Sequence, residues 1–342
     1  MSRLQQEIDE QPADIARFVD RQSDTAARIG RELRDVSSVQ MVARGSSDNA
    51  ARYGQYLFGA VAGKTVSLAA PSLTTAYGAP MEYRGQAVVG ISQSGQSPDV
   101  VAVVREARLQ GVPTVAITNE TSSPLAEAAS HVLDLQVGEE LSVAATKTYT
   151  TSLVALASIA IGIGTDPTLV DDLRRLPDAM RETLASAHHP RPELEDFAGQ
   201  HRMLTVSRGF NYCTAFEIAL KVKELARIVT EPYSAADLVH GPIAAVEQDL
   251  PVLIVAPSGP LYASLVDVAR ALRERGARTM AITDVPELAA EVDAVLPFPQ
   301  VPERITPVMA VLHGQVVAAR LAALRGFDAD QPSGLNKITR TT

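Results

Sequence analysis

The sequence predicts an α/β protein built as two tandem halves, each a doubly wound parallel sheet with helices on both faces. Short β-rich runs alternate with helical stretches along most of the chain, and a parallel sheet needs such crossovers. The chain also repeats itself at an offset of about 164 residues, and the repeat keeps its register over several strands. "VQMVARGSSDNAARYGQYLF" (39–58) lines up with "RMLTVSRGFNYCTAFEIALK" (202–221), so Arg44-Gly45 falls on Arg208-Gly209. Further on, "QAVVGISQSGQSPDVV" matches "LPVLIVAPSGPLYASLV" in pattern, and two later strands share "AIT" at 116–118 and 281–283.

The elements follow in order. Residues 1–36 read as an N-terminal helical segment, with the amphipathic stretch at 3–34. The first half covers 37–165 and the second 201–325. Residues 166–200 read as a helical connector stopped by the prolines of "HHPRPELE", and 326–342 form a tail. The apolar run 153–163 is too short to span a membrane and contains Ser158, so it reads as a buried helix.

Composition narrows the function classes. The chain has 342 residues, 46% apolar and 21% charged, which suits a folded globular protein. A single cysteine, Cys213, excludes an internal disulfide framework, and "MSRLQQEIDEQ" is no signal peptide, so the cytoplasm is the expected compartment. A net charge of −9 argues against nucleic acid as a partner, and no membrane contact is expected. The six histidines show no metal-ligand spacing, and neither metal nor cofactor is expected.

The first half carries "GISQSGQSPDVVAVV" (90–104), a strand, a polar turn and a helix. Ser97 suits the N-cap, Pro98 the first helical position, and Asp99 the positive end of the helix dipole. Ser92, Gln93, Ser94 and Gly95 remain unexplained by this capping. Hydroxyls, main-chain N–H groups freed by glycine and a helix N-terminus together suit a phosphate-sized anion, although serine and glycine in a turn also serve plain capping. "RGSSDN" puts Ser46 and Ser47 at the same sheet edge, where doubly wound sheets bind ligands. The second half has "PSGPLY" instead, with most hydroxyls gone.

"AFEIALKVKELA" (215–226) sets Glu217, Lys221 and Glu224 at i, i+4 and i+7, on one side of a helix whose other positions are mostly apolar. Such a helix is largely buried, and a buried carboxylate has a partner or a task. His240 follows a short helix opened by the capping box Ser234-Ala235-Ala236-Asp237. His188 and His189 read as a solvated turn.

Five motifs in order, "SQSGQS", "ELSVAATKTYTT", "EIALKVKE", "DLVHGP" and "DQPSGLNK", resemble the sugar isomerase (SIS) family. The resemblance is to the isomerase half of glucosamine 6-phosphate synthase and to stand-alone deaminases of that type, and it covers about 35–342. It implies two tandem flavodoxin-like SIS subdomains. It implies phosphate binding by Ser47, Ser92, Gln93, Ser94 and Ser97, with Gly45, Ser46, Val143 and Ala145 lining the sugar. Glu224 matches the family base, with Glu217 and Lys221 holding it. The match to His240 implies ring opening by a histidine from the neighbouring subunit of a homodimer, and Lys337 matches a tail lysine over the site. Ala145 and Gln96 depart from the synthase's usual Ser and Glu, and Asn336 from its usual Ala. No cysteine nucleophile stands at the N-terminus, so ammonia from glutamine is not expected.

The implied reaction is metal-independent deamination and isomerisation of glucosamine 6-phosphate to fructose 6-phosphate and ammonia. Removal of the proton on C2 also serves a dehydratase of N-acetylglucosamine 6-phosphate, which would lose the 3-hydroxyl. A phosphosugar-sensing module without catalysis is the alternative of a different class.

Overall fold

The computed structural model describes residues 2–164, 166–189, 191–332, 334–335 and 337. Helix α1 (Arg3–Glu32) leads into β1 (Ser38–Val42), α2 (Ser46–Ala62), β2 (Thr65–Leu68), the short α3 (Ser72–Thr75) and β3 (Gln86–Ile91). α4 (Pro98–Leu109), β4 (Thr114–Thr118), α5 (Pro124–Ala128), β5 (His131–Asp134) and α6 (Lys147–Ile163) complete the first half. α7 (Thr168–Ala187) and α8 (Glu193–Ala198) connect it to β6 (Arg202–Ser207), α9 (Tyr212–Ala226), β7 (Val229–Ser234) and α10 (Ala235–Val239). β8 (Pro251–Val255), α11 (Tyr262–Glu274), β9 (Arg278–Thr283), β10 (Ala294–Pro297) and α12 (Thr306–Leu324) follow.

The strands form two parallel five-stranded sheets, ordered β2-β1-β3-β4-β5 and β10-β9-β8-β6-β7. Read from its other edge, the second order is that of the first, so the repeat in the sequence is a repeat of topology. In both, strand order reverses beside the first strand of the half, and the loops after β1 and β3 therefore flank the switch point of the first sheet.

Backbone packing divides the chain into two compact units. One comprises the described residues of 13–141 and 147–174 with Lys337 and holds the first sheet. The other comprises residues 1–12, 142–146 and 175–335 and holds the second.

Within the first unit, β3 and β4 are buried almost end to end, as central strands covered on both faces must be. α6 is buried on nearly every side, as the apolar run 153–163 predicts. Gly162 meets α1 at Ala27 and Gly30, where any Cβ would collide with main-chain atoms of the facing helix, so glycine sets the approach of the two helices.

The core of the second unit is built around α12, which packs against α9. Residues 303–324 are long and apolar enough to cross a membrane, but 78% of the apolar window is buried inside the fold, as in a core helix. Gly314 lies against the Ile218 side chain of α9, and a Cβ there would collide with it. Lys221, also on α9, is 1% exposed.

α12 also buries His313, whose Nε2–H donates to the Pro297 carbonyl at 2.9 Å, while Nδ1 has no partner among the described residues. Burial is the main cause that pushes this imidazole down to about 4, so it is neutral in the fold. Above the ordinary histidine value of 6.5 it adds no pH dependence, because both states are neutral there. As pH falls from 6.5 toward about 4, the unfolded chain takes up a proton that the folded one refuses. Denaturation in this window is expected to show a loss of about 3 kcal/mol attributable to His313. A His313→Gln variant keeps a donor for Pro297 and should lose that part of the slope; an unchanged slope would refute the assignment.

Candidate functional site

The turn after β3 is fixed from β4. The Gln93 carbonyl accepts from Asn119 N–H at 3.1 Å and from the Thr118 hydroxyl at 3.2 Å, while Ser92 N–H donates to the Ile117 carbonyl at 3.1 Å. Gly95 completes the turn with φ +61°, and a Cβ on it would collide with Ser123 Oγ. Only glycine meets both conditions. Its own N–H donates to Ser92 Oγ at 3.1 Å, and its carbonyl accepts from Leu125 N–H.

The remaining hydroxyls of the turn are less committed. Ser94 Oγ accepts a long bond of 3.4 Å from Gln96 N–H. Ser97 occupies the N-cap of α4 with Pro98 behind it, as predicted, but its hydroxyl makes no cap hydrogen bond. At the end of β1, Gly45 takes φ +57° as N-cap of α2, and Ser46 and Ser47 form the first two helical positions. The Ser47 hydroxyl has no hydrogen-bond partner among the described residues, whereas Ser46 is engaged. Half-buried hydroxyls at two helix N-termini on one sheet edge suit an anion.

Arg44 ties these two arms together. Its Nε and Nη2 both lie 2.6 Å from Asp99 Oδ2, so the end of β1 is clamped to the first turn of α4. Asp99 is 1% exposed and its other oxygen accepts from Val100 N–H at 2.9 Å. Nearby, burial pushes the Asp48 carboxyl above the ordinary carboxylate range, opposed by Arg52 at 3.2 Å and by Arg44.

A cleft of about 600 Å³ opens beside the turn, lined by Gln93, Ser94 and Gln96 together with Asn119 and the carboxylates Glu120, Asp134, Glu139 and Glu140. Glu140 is buried; it accepts from Thr148 N–H at 3.0 Å, from the Thr148 hydroxyl at 2.8 Å and from Lys337 Nζ at 2.8 Å. Val143 and Ala145 lie half-buried in the loop that follows.

The equivalent turn of the second sheet is already occupied. Ser258, the register counterpart of Ser94, donates its N–H at 2.6 Å and its hydroxyl at 2.5 Å to the Asp284 carboxylate. Burial, helped by Asp284, pushes the Glu303 carboxyl up beside Gly259.

On α9, Lys221 is buried between two carboxylates, with Nζ at 2.5 Å from Glu224 Oε2 and 3.6 Å from Glu217 Oε1. Glu217 is wholly buried; Glu224 keeps 24% of its side chain exposed, so it is the member of the trio that solvent reaches. His240, at the end of α10, is exposed. The capping-box bond expected there is not made: Ser234 is the N-cap, but its side chain accepts nothing from the helix. The hydroxyl is a local acceptor only if its rotamer turns inward, which sequence spacing does not dictate. His188 is likewise more than a solvated turn, since Nε2 lies 2.8 Å from Asp9 Oδ1. Among the described residues no group of His, Cys, Asp or Glu side chains is placed to hold a metal ion.

Residues 32–162 and 196–325 each match the SIS domain. The chain belongs to the SIS family. A glutamine–fructose-6-phosphate aminotransferase (isomerizing) of Gloeobacter violaceus is 33% identical over 349 residues, which is 97% of this SIS chain and 57% of the relative. The SIS chain therefore spans about half the length of the curated relatives it matches. A Silicibacter pomeroyi protein, described as a candidate phosphosugar isomerase, has a similar structure with 33% identity and TM-score 0.87, covering 96% of this chain and 100% of that one. The C-terminal domain of glucosamine-fructose-6-phosphate aminotransferase from Francisella tularensis gives 25% identity and TM-score 0.88, covering 97% and 98%.

Of the residues singled out in the sequence, Ser47, Ser92, Gln93, Ser94 and Ser97 share one sheet edge with Gly45 and Ser46, and Glu217, Lys221 and Glu224 form one cluster on α9. Asn336 lies outside the described residues, as does much of the tail. Arg44, Glu140 and Thr148 were not singled out, although Glu140 opens and Thr148 lies within the quoted "ELSVAATKTYTT".

The clamp between Arg44 and Asp99 is testable on stability alone. Arg44→Ala leaves a buried carboxylate without its cation and is expected to cost about 1–3 kcal/mol in chemical denaturation. Adding Asp99→Asn should recover most of that loss. No recovery would show that Arg44 acts through some other contact.

Proposed function

We propose that this SIS protein is a metal-independent phosphosugar enzyme that deaminates and isomerises glucosamine 6-phosphate to fructose 6-phosphate and ammonia. The observation that carries the reading is the α9 trio: a carboxylate with solvent access, Glu224, gripped by a buried ammonium that a second, buried carboxylate balances. Such a group can take a proton and return it without a metal. The matches to isomerizing fructose-6-phosphate aminotransferases and the Ser97 hydroxyl, which makes no cap bond at the first sheet edge, support the substrate class.

In this reading Ser47, Ser92, Gln93, Ser94 and Ser97 hold the phosphate, while Gly45, Ser46, Val143 and Ala145 line the sugar. Glu224 removes the C2 proton of the open-chain aldehyde, giving an enolamine, and a proton returned to C1 leaves an imine at C2. Water adds to C2 and ammonia departs, so C2 becomes the ketone of fructose 6-phosphate. Lys221 and Glu217 set the position and charge of Glu224. His240, exposed at the end of α10, opens the ring of the sugar bound by a second copy of the chain, which makes the working unit a homodimer. Lys337 assists at the open-chain carbonyl; Glu140, which holds it, lines the cleft that Gln93 and Ser94 also line.

Mixing the protein with glucosamine 6-phosphate is expected to release ammonia and fructose 6-phosphate. Glu224→Gln should lower kcat by about 10²–10⁴-fold with sugar phosphate affinity nearly unchanged, the usual contribution of a general base. Growing ultraviolet absorbance with the N-acetylated sugar, and no ammonia from the free amine, would assign dehydration instead. Binding without turnover of either sugar would assign sensing.

A further inference from the structure

Lys337 is held more firmly than a residue near the end of a chain has reason to be. Its ammonium sits 2.8 Å from Glu140 Oε2, with 24% of the lysine side chain exposed and none of the glutamate's. Glu140 is itself fixed: Oε1 accepts the Thr148 N–H and Oε2 the Thr148 hydroxyl, both in the first turn of α6. Two donors, the positive end of a helix and an ammonium all favour the ionised carboxylate. A buried carboxylate fastened through both oxygens to a buried helix does not move to meet a lysine; the lysine comes to it.

We propose that Glu140 is the positioning residue for Lys337, anchoring the tail lysine as an ammonium at the cleft beside the hydroxyl turn. Lys337 is thereby presented first as a cation and proton donor toward an oxygen of a bound phosphosugar. It becomes a nucleophile toward a carbonyl only after that proton has left. Glu140 makes and breaks no bond to the sugar; it sets where the amine stands. This role rests on the reading of the chain as a phosphosugar enzyme, whereas the anchoring itself does not.

Two measurements separate the parts. In the free protein, acylation by acetic anhydride at pH 8, read by peptide mass spectrometry, is expected to modify Lys337 about tenfold more slowly than exposed Lys223, because Glu140 occupies the Lys337 amine and most of that side chain is covered. Glu140→Gln, which keeps the size and the contact to Thr148, should raise the ratio of Lys337 to Lys223 labelling by a similar factor. Equal labelling of the two lysines in the parent overturns the anchoring even if the variant fails to fold, as does an unchanged ratio in a folded variant.

With glucosamine 6-phosphate, the variant is expected to lose about tenfold or more in kcat with KM changed less, and Glu140→Asp to recover part of it. A parent that releases no ammonia counts against the enzymatic reading and leaves the labelling result to decide the anchor. An active parent matched by an equally active Glu140→Gln overturns the positioning role.

Discussion

Two hydrogen bonds from the end of β4 to the Gln93 carbonyl hold the first sheet edge in its shape. They turn that carbonyl inward, toward the sheet, and leave the residues after it to bend back into α4. The bend requires Gly95 in a left-handed conformation against Ser123, and it commits the Ser92 hydroxyl to the Gly95 N–H. What remains on the outside is the Ser97 hydroxyl, which makes no cap bond, and the Ser94 hydroxyl, which accepts only one long bond. In the second sheet the Thr283 hydroxyl instead bonds the Ala256 carbonyl at 2.6 Å, one residue earlier in register than the bond from Thr118 to Gln93. Its outcome differs because Asp284 uses the donors that would otherwise face a ligand. One design thus yields one open edge and one that its own carboxylate has closed.

Charge is handled by the same rule in each place: a buried charge is never left to water's absence. Asp99 has Arg44, Glu140 has Lys337 and the head of α6, and Lys221 has two carboxylates. In each cluster one member reaches solvent and the other is sealed, which fixes the geometry of the exposed member. Arg44, Lys337 and Glu224 are the exposed ones. A fold that needed only stability would gain as much from apolar side chains of similar volume at these positions.

The parallel sheets, the repeat and the burial of α6 were legible because each is written in the pattern along the chain, whereas the flavodoxin-like arrangement came from the resemblance. Helix starts at Ser97 and Ser234 were legible as positions for the same reason, but their hydroxyls do not cap, since rotamer choice answers to surroundings that spacing does not describe. The side of α9 shared by Glu217, Lys221 and Glu224 was readable from the i, i+4, i+7 spacing. Which carboxylate would be sealed was not, because burial depends on packing against other elements that the spacing does not describe. Arg44 with Asp99 and Glu140 with Lys337 were out of reach for a plainer reason: the partners are 55 and 197 residues apart, and no local pattern couples them.

The central claim is that the open edge of the first sheet grips a sugar's phosphate. Calorimetric titration of the full chain with fructose 6-phosphate, and with fructose as the control, tests it most directly. The account predicts one site per chain for the phosphorylated sugar, no measurable heat of binding for the other, and loss of the site when Ser94 and Ser97 are both changed to Ala. Undiminished binding by that double variant would contradict it.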